Sequence, residues 1–261
     1  MPAVMSSPRV SCRCNAAAKA SWIPLCSDCW ERVPPNLRET VLWAHVEAPE
    51  SEEEDAALSE CLIFLSRNDG RGDWITTISG GQYFITSPSP NDICLRDIEW
   101  GLSHNNRYSG QSRYPYNVAE HSIHGCDELL RRYPGDFLLA LHGLLHDAPE
   151  AFLGEMTKPL KQTLAYYSYL EQMAEIAIYS HFGLPRVTPQ QKAAIKVVDS
   201  SLLATERRDL ITPRRDWERT EPPLPHLDLR VPMSPETARL GFRQRWESLT
   251  QRIDFALVSE L

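Results

Sequence analysis

The chain has 261 residues, which suits one large domain or one domain with a small appendage. An apolar fraction of 42% is ample for a core, and a net charge of −8 argues against a general nucleic-acid binder while leaving room for a small anion held by a local Arg/Lys cluster. The seven cysteines are an odd number, the first eleven residues hold no apolar signal-peptide core, and no apolar run approaches the ~20 residues of a bilayer span, so a cytoplasmic protein with reduced thiols and no membrane partner is expected.

Residues 1–10 read as disordered. Cys12 and Cys14, then Cys26 and Cys29, form a C-x-C…C-x-x-C set. Each close pair can offer two thiolates from one turn, so structural zinc is expected, stapling a module too small for its own core. Four unrelated reduced thiols are the alternative. Helical spacing runs through Leu37, Val41, Leu42, Ala44 and His45. Ser51 and Glu54 have capping-box spacing ahead of a helix expected to reach Leu65, which makes the acidic run there a solvated helix start. Asn68-Asp69-Gly70-Arg71-Gly72 is a turn or linker. The expected division is an N-terminal Cys-rich module over 1–66 and a main domain over 67–261, with its core at about 93–211.

Trp74–Ile78 and Gln82–Thr86 read as a β-hairpin around Gly80-Gly81. Ile93–Leu102 reads as a helix capped by Asp92. From Val118 the pattern is helical almost to the end, and the fold class is mainly α. Ile123, Cys126, Leu129 and Leu130 share a stripe with His121. Phe137–Ala148 is apolar on all sides and should be a central helix. Tyr166–Phe182 should end at Gly183, and Pro189–Leu210 is stopped by Pro213. Residues 213–233 are Pro-rich and irregular, and Ser234-Pro235 starts a last helix.

Three places put metal-type ligands where a helix points inward: His121, His146-Asp147, and Asp199 on the apolar face of the 189–210 helix. Two imidazoles and two carboxylates suit one Mn, Fe, Co, Zn or Ni ion and are too nitrogen-rich for Ca. His146 and Asp147 reach one ion if it lies beyond the helix end, where Pro149 redirects the chain. His142 reads as core. His124 reads equally as structural or phosphate-facing. Glu206 shares the Asp199 stripe, either to orient a ligand or to pair with Arg207 or Arg208.

Asp97-Ile98, Leu102-Ser103, Asn106-Arg107-Tyr108, Val118-Ala119-Glu120-His121-Ser122, Leu145-His146-Asp147-Ala148-Pro149-Glu150, Gly154-Glu155 and Pro159-Leu160-Lys161 occur in this order. The set resembles the HD-domain phosphohydrolases, and more closely the bacterial 5′-deoxynucleotidases and related phage-encoded HD deoxynucleotide hydrolases, over roughly residues 74–211. The resemblance implies a helical bundle with one catalytic divalent ion on His121, His146, Asp147 and Asp199. Glu150 then matches the acid that positions or deprotonates the attacking water, and Arg107 the phosphate-orienting arginine. Tyr108 stands where the relatives place a Trp that crowds the ribose 2′ position. Glu155, Met156, Thr157 and Lys158 match a substrate-contacting segment that usually begins with Asp. The relatives self-associate, which implies a homo-oligomer.

Elementary chemistry agrees with these roles. A metal lowers the pKa of water towards neutrality, a carboxylate such as Glu150 can take the proton, and the Arg107 fork matches phosphate oxygens. Lys158 and Lys161 would add positive charge, or lie solvated at the surface. The expected activity is release of phosphate from deoxynucleoside monophosphates. A dNTP triphosphohydrolase, dATP-directed for example, is the second reading, with Lys158, Lys161 and Arg113 serving the extra phosphates. A non-catalytic, zinc-stabilised nucleotide-binding or regulatory module is the third.

Overall fold

The computed structural model describes residues 27–47, 49, 54, 57–58, 61, 73–212, 221–253 and 255. The chain divides into two compact units, Met1–Trp74 with Phe84–Pro88, and Ile75–Tyr83 with Ser89–Leu261. In the first, α1 (Ser27–Arg32) and α2 (Pro35–Glu47) bury Trp30, Val33, Val41 and Ala44. Of the helix expected up to Leu65, positions 54, 57, 58 and 61 are described, and all are helical. Residues 1–10, Cys12, Cys14 and Cys26 lie outside the described residues, as does the side chain of Cys29 in α1, and the expected zinc site lies there with them.

The second unit is mainly helical. The short strands β1 (Trp74–Thr76) and β2 (Gln82–Phe84) form a two-stranded sheet. The strands are shorter than the sequence pattern predicts. Thr77 and Gly80 already belong to the turn, and Ser79 gives both its N–H and its hydroxyl to the Asp97 carboxylate, at 2.9 and 2.8 Å. Asp97 sits in α3 (Leu95–His104). Asp92 does not cap this helix, as the sequence suggested. Its carboxylate accepts from Ser89 N at 2.8 Å and closes the tight helical turn Pro90–Asp92 instead.

Next come α4 (Val118–Arg132), α5 (Phe137–Leu145), α6 (Glu150–Leu153), α7 (Lys158–Lys161), α8 (Ala165–His181), α9 (Pro189–Leu210) and α10 (Pro235–Thr250). The caps are those the sequence offers: Asn117 accepts from Glu120 N, Thr188 and Gln191 form a capping box, and Ser234 accepts from Thr237 N. Helix α4 is the hub, packed against α3, α5, α9 and α10, and it buries Val118, Ala119, Ile123, Cys126 and Leu129.

Helix α5 ends at Leu145, three residues before the predicted limit of Ala148. Pro149 has no N–H to give the Leu145 carbonyl, which takes Ala148 N at 2.9 Å in a tight turn. That turn aims His146 and Asp147 past the end of the helix. Helix α6 then lies hard against α3. A Cβ on Gly101 would collide with the carbonyl oxygen of Ala151, so only glycine allows the approach. Among the described residues, no helix is long and apolar enough to cross a membrane.

Candidate metal centre

Four side chains from α4, α9 and the α5–α6 turn meet at one point. The Nε2 atoms of His121 and His146 stand 3.3 Å apart. Asp199 Oδ1 lies 3.6 Å from His121 Nε2, and the ligand atoms of His121, His146 and Asp199 all fall within 4.8 Å of one another. Asp147 Oδ2 is 3.2 Å from His146 Nε2 and 3.7 Å from His121 Nε2. Sequence neighbours therefore reach the same point, as the broken helix permits.

The hydrogen bonds on the far side of each ring fix what faces inward. His121 Nδ1 donates to Glu206 Oε1 at 2.7 Å, and His146 Nδ1 donates to the Gly143 carbonyl at 2.7 Å. Both partners are pure acceptors, so in the neutral rings the proton sits on Nδ1 and the Nε2 lone pairs converge. Two lone pairs and two carboxylates pointed at each other call for a cation. Ligands about 2.0–2.2 Å from one ion stand roughly 2.8–3.6 Å apart at octahedral to tetrahedral angles, the range of the His146–Asp147, His121–His146 and His121–Asp199 separations of 3.2, 3.3 and 3.6 Å. His121, His146 and Asp199 thus form a group able to hold a metal ion, with Asp147 beside it. The N/O donor set suits a borderline transition metal.

Local charge agrees. Burial disfavours the charged ring of His146, but Asp147 and Asp199 outweigh this and raise its pKa to about 9. Burial likewise opposes ionisation of Asp147 and Asp199, yet the two imidazoles hold both carboxyls below the usual range, with Arg107 helping at Asp147 and Lys196 at Asp199.

Around this centre, Arg107 donates Nη1 to Asp147 Oδ2 at 3.4 Å and Nε to Glu206 Oε2 at 3.3 Å. Of the two roles open to Glu206, the geometry selects orientation of the ligand His121. Glu150 is buried at the N-terminus of α6, and its Oε2 has no hydrogen-bonding partner. Burial, the charge of Asp147 and the closeness of Glu155 push its pKa well above the carboxylate range.

The expected substrate contacts divide. The Tyr108 hydroxyl is engaged with Glu206. Lys161 pairs with Glu171 at 2.6 Å and stands 3.9 Å from Glu150 Oε1, while Lys158 is exposed. Glu155, Met156 and Thr157 are half-buried in the segment before α7. His142 is core, stacked on Tyr179 with its ring nitrogen 3.3 Å from the hydroxyl. His124 lies beside Glu120 and stacks on Tyr116, a structural placement. A cleft of about 360 Å³ opens beside the centre, lined by His146, Asp147, Glu150, Ser168, Glu171 and Glu175 among others. Its wall, Ser168, Glu171 and Glu175 of α8, was not singled out by the sequence reading, since these residues lie along one amphipathic helix with no motif of their own.

Fold and site together define a mainly helical protein with a candidate mononuclear metal centre at the heart of its bundle. No family model matches the chain. It is 32% identical to the uncharacterized protein YfdR of Escherichia coli K12 over 180 residues, covering 68% of this chain and 96% of that protein. It is 39% identical to the uncharacterized protein RCAP_rcc00048 of Rhodobacter capsulatus over 132 residues, covering 49% of this chain and 67% of that protein. The chain belongs to the family of YfdR.

Proposed function

We propose that the chain is an HD-domain, divalent-metal-dependent phosphohydrolase that releases phosphate from deoxynucleoside 5′-monophosphates. One observation carries this reading: the acceptor atoms of His121, His146, Asp147 and Asp199 converge with Arg107 on their rim and the buried acid Glu150 close to Asp147. When bound, a divalent ion at this place supplies Lewis acidity and lowers the pKa of water. Arg107 offers its guanidinium fork to the phosphate oxygens. Glu150 receives the proton of the attacking water, and neutralisation of the nearby Asp147 charge would bring its raised pKa back towards that task.

The monophosphate reading is favoured over the triphosphate reading by the surrounding charge. Of the three cations available for extra phosphates, Lys161 is neutralised by Glu171, Arg113 Nε is turned to the Thr212 hydroxyl, and Lys158 is exposed. The cleft itself is lined by the carboxylates of Asp147, Glu171 and Glu175, which repel a highly charged tail. Structural zinc on Cys12, Cys14, Cys26 and Cys29, self-association and a cytoplasmic place belong to the same reading. The test is incubation with Mn or Co and each dNMP and dNTP, followed by identification of the product. Phosphate from dNMPs is expected. Triphosphate from dNTPs would move the reading to the second enzyme class, and no product from any nucleotide would refute it.

A further inference from the structure

Glu206 lies two turns beyond Asp199 on α9 and is wholly buried. A buried carboxylate is costly unless donors surround it. Here three do: His121 Nδ1 reaches Oε1 at 2.7 Å, while Arg107 Nε at 3.3 Å and the Tyr108 hydroxyl both reach Oε2. The backbone beside it is strained. Tyr108 and Ser109 have φ of 59° and 52°, two successive non-glycine residues in the left-handed region. Side chains disfavour that region, so something must hold them there. The Arg107 N–H on the Tyr116 carbonyl, at 2.9 Å, fixes one end of the turn, and the Tyr108 hydroxyl on Glu206 fixes its middle.

We infer that Glu206 is a positioning residue that sets the ligand His121 and the phosphate-facing Arg107 in one frame, with Tyr108 as the latch that holds the 107–110 turn in its left-handed form. The metal half of this statement rests on the geometry alone; the phosphate half rests on the proposed function. Groups that orient ligand imidazoles change metal affinity by about 10–100-fold when lost. A carboxylate that also orients the arginine changes anion affinity as well, which a group serving the metal alone does not.

Cobalt affinity, the visible spectrum of bound cobalt, and inorganic phosphate affinity of the cobalt-loaded protein separate these roles without any turnover. Glu206→Gln should weaken cobalt binding by about 10–100-fold, alter the spectrum and weaken phosphate binding. Tyr108→Phe should leave cobalt affinity and spectrum as in the wild type and weaken phosphate binding roughly tenfold, the scale of one hydrogen bond to a charged group. Should Glu206→Gln not fold, Glu206→Asp, one methylene shorter, makes the same test. A lowered melting temperature with unchanged cobalt affinity and spectrum in the Glu206 variant would overturn the positioning role, and unchanged phosphate affinity in Tyr108→Phe would overturn the latch. A wild type that binds cobalt but hydrolyses no nucleotide would refute the nucleotidase reading while leaving the cobalt comparison intact.

Discussion

Two kinds of buried polar cluster in this bundle solve opposite problems. Glu99 of α3 is wholly buried, and two arginines of α10 close on it, Arg243 at 2.6 and 2.8 Å and Arg239 at 3.2 Å. Glu128 near the end of α4 is treated likewise by Arg131 at 2.7 Å and Arg132 at 2.5 Å. In these clusters every acid meets at least its own charge in cations. At the centre built on His121 the arrangement differs: two imidazoles and two carboxylates converge on one point, Arg107 and Lys196 each hold one carboxylate, and without a metal the proton on His146 offsets part of the acid charge. The first arrangement neutralises charge and knits helices together. The second gathers four ligand-type side chains around a point and lets a titratable ring hold the charge there, which a fold tolerates where a cation is to be held.

The comparison breaks most visibly at Asp147. Asp147→Ala should abolish metal retention and turnover together, and a metal-replete, active variant in elemental analysis and product assay would remove the contrast. A smaller effect comes from His142, one turn before His146 but outside the centre. Burial holds its pKa down at about 4. The unfolded ring titrates near ~6.5, so between these values the unfolded chain binds more protons. Stability should be full above about pH 6.5 and fall by up to about 3 kcal/mol as the pH drops towards 4. Denaturant melts across that range should show the loss, and His142→Phe should flatten it.

Next is the direct exchange between clusters. Glu99→Gln should cost about 2 kcal/mol, since two arginines lose their partner. Asp199→Asn should cost the metal-free protein less, about 1 kcal/mol, because it loses the attraction of the imidazoles and the exposed Lys196 pair but is relieved of burial and of repulsion with Asp147. Equal costs at the two sites in urea melts would erase the distinction. The smallest effect is expected at Lys158. Its exposure predicts that Lys158→Ala alters dNMP turnover less than twofold, about 0.4 kcal/mol, and a tenfold loss would return it to the substrate.

What could be read in advance was local. The α9 limits, the Ser234 cap and the inward stripe of His121 and Asp199 follow from spacing a few residues wide, and all appear in the fold. The end of α5 was missed because the apolar run continues to Ala148 while the backbone is already governed by Pro149. The role of Asp92 was missed because an acid three residues after a serine fits either of two adjacent turns. Glu206 was ambiguous for a stronger reason. Its partners His121, Tyr108 and Arg107 lie 85, 98 and 99 residues away, and nothing near it in the chain announces them. Arg207 and Arg208 were the nearer candidates, but Arg208 faces Asp209, at 2.7 Å, and not Glu206. Lys161 was similarly hidden, since Glu171, which takes it, lies on the next helix.

The central claim is that His121, His146, Asp147 and Asp199 grip one ion, and the most direct test is a cobalt titration of the wild type against His121→Ala. The N-terminal cysteines are expected to hold an ion of their own, so the decisive quantity is the difference between the two proteins. One cobalt per chain, bound by the wild type and lost from the folded variant, is the predicted result. Equal cobalt uptake by both would contradict the account.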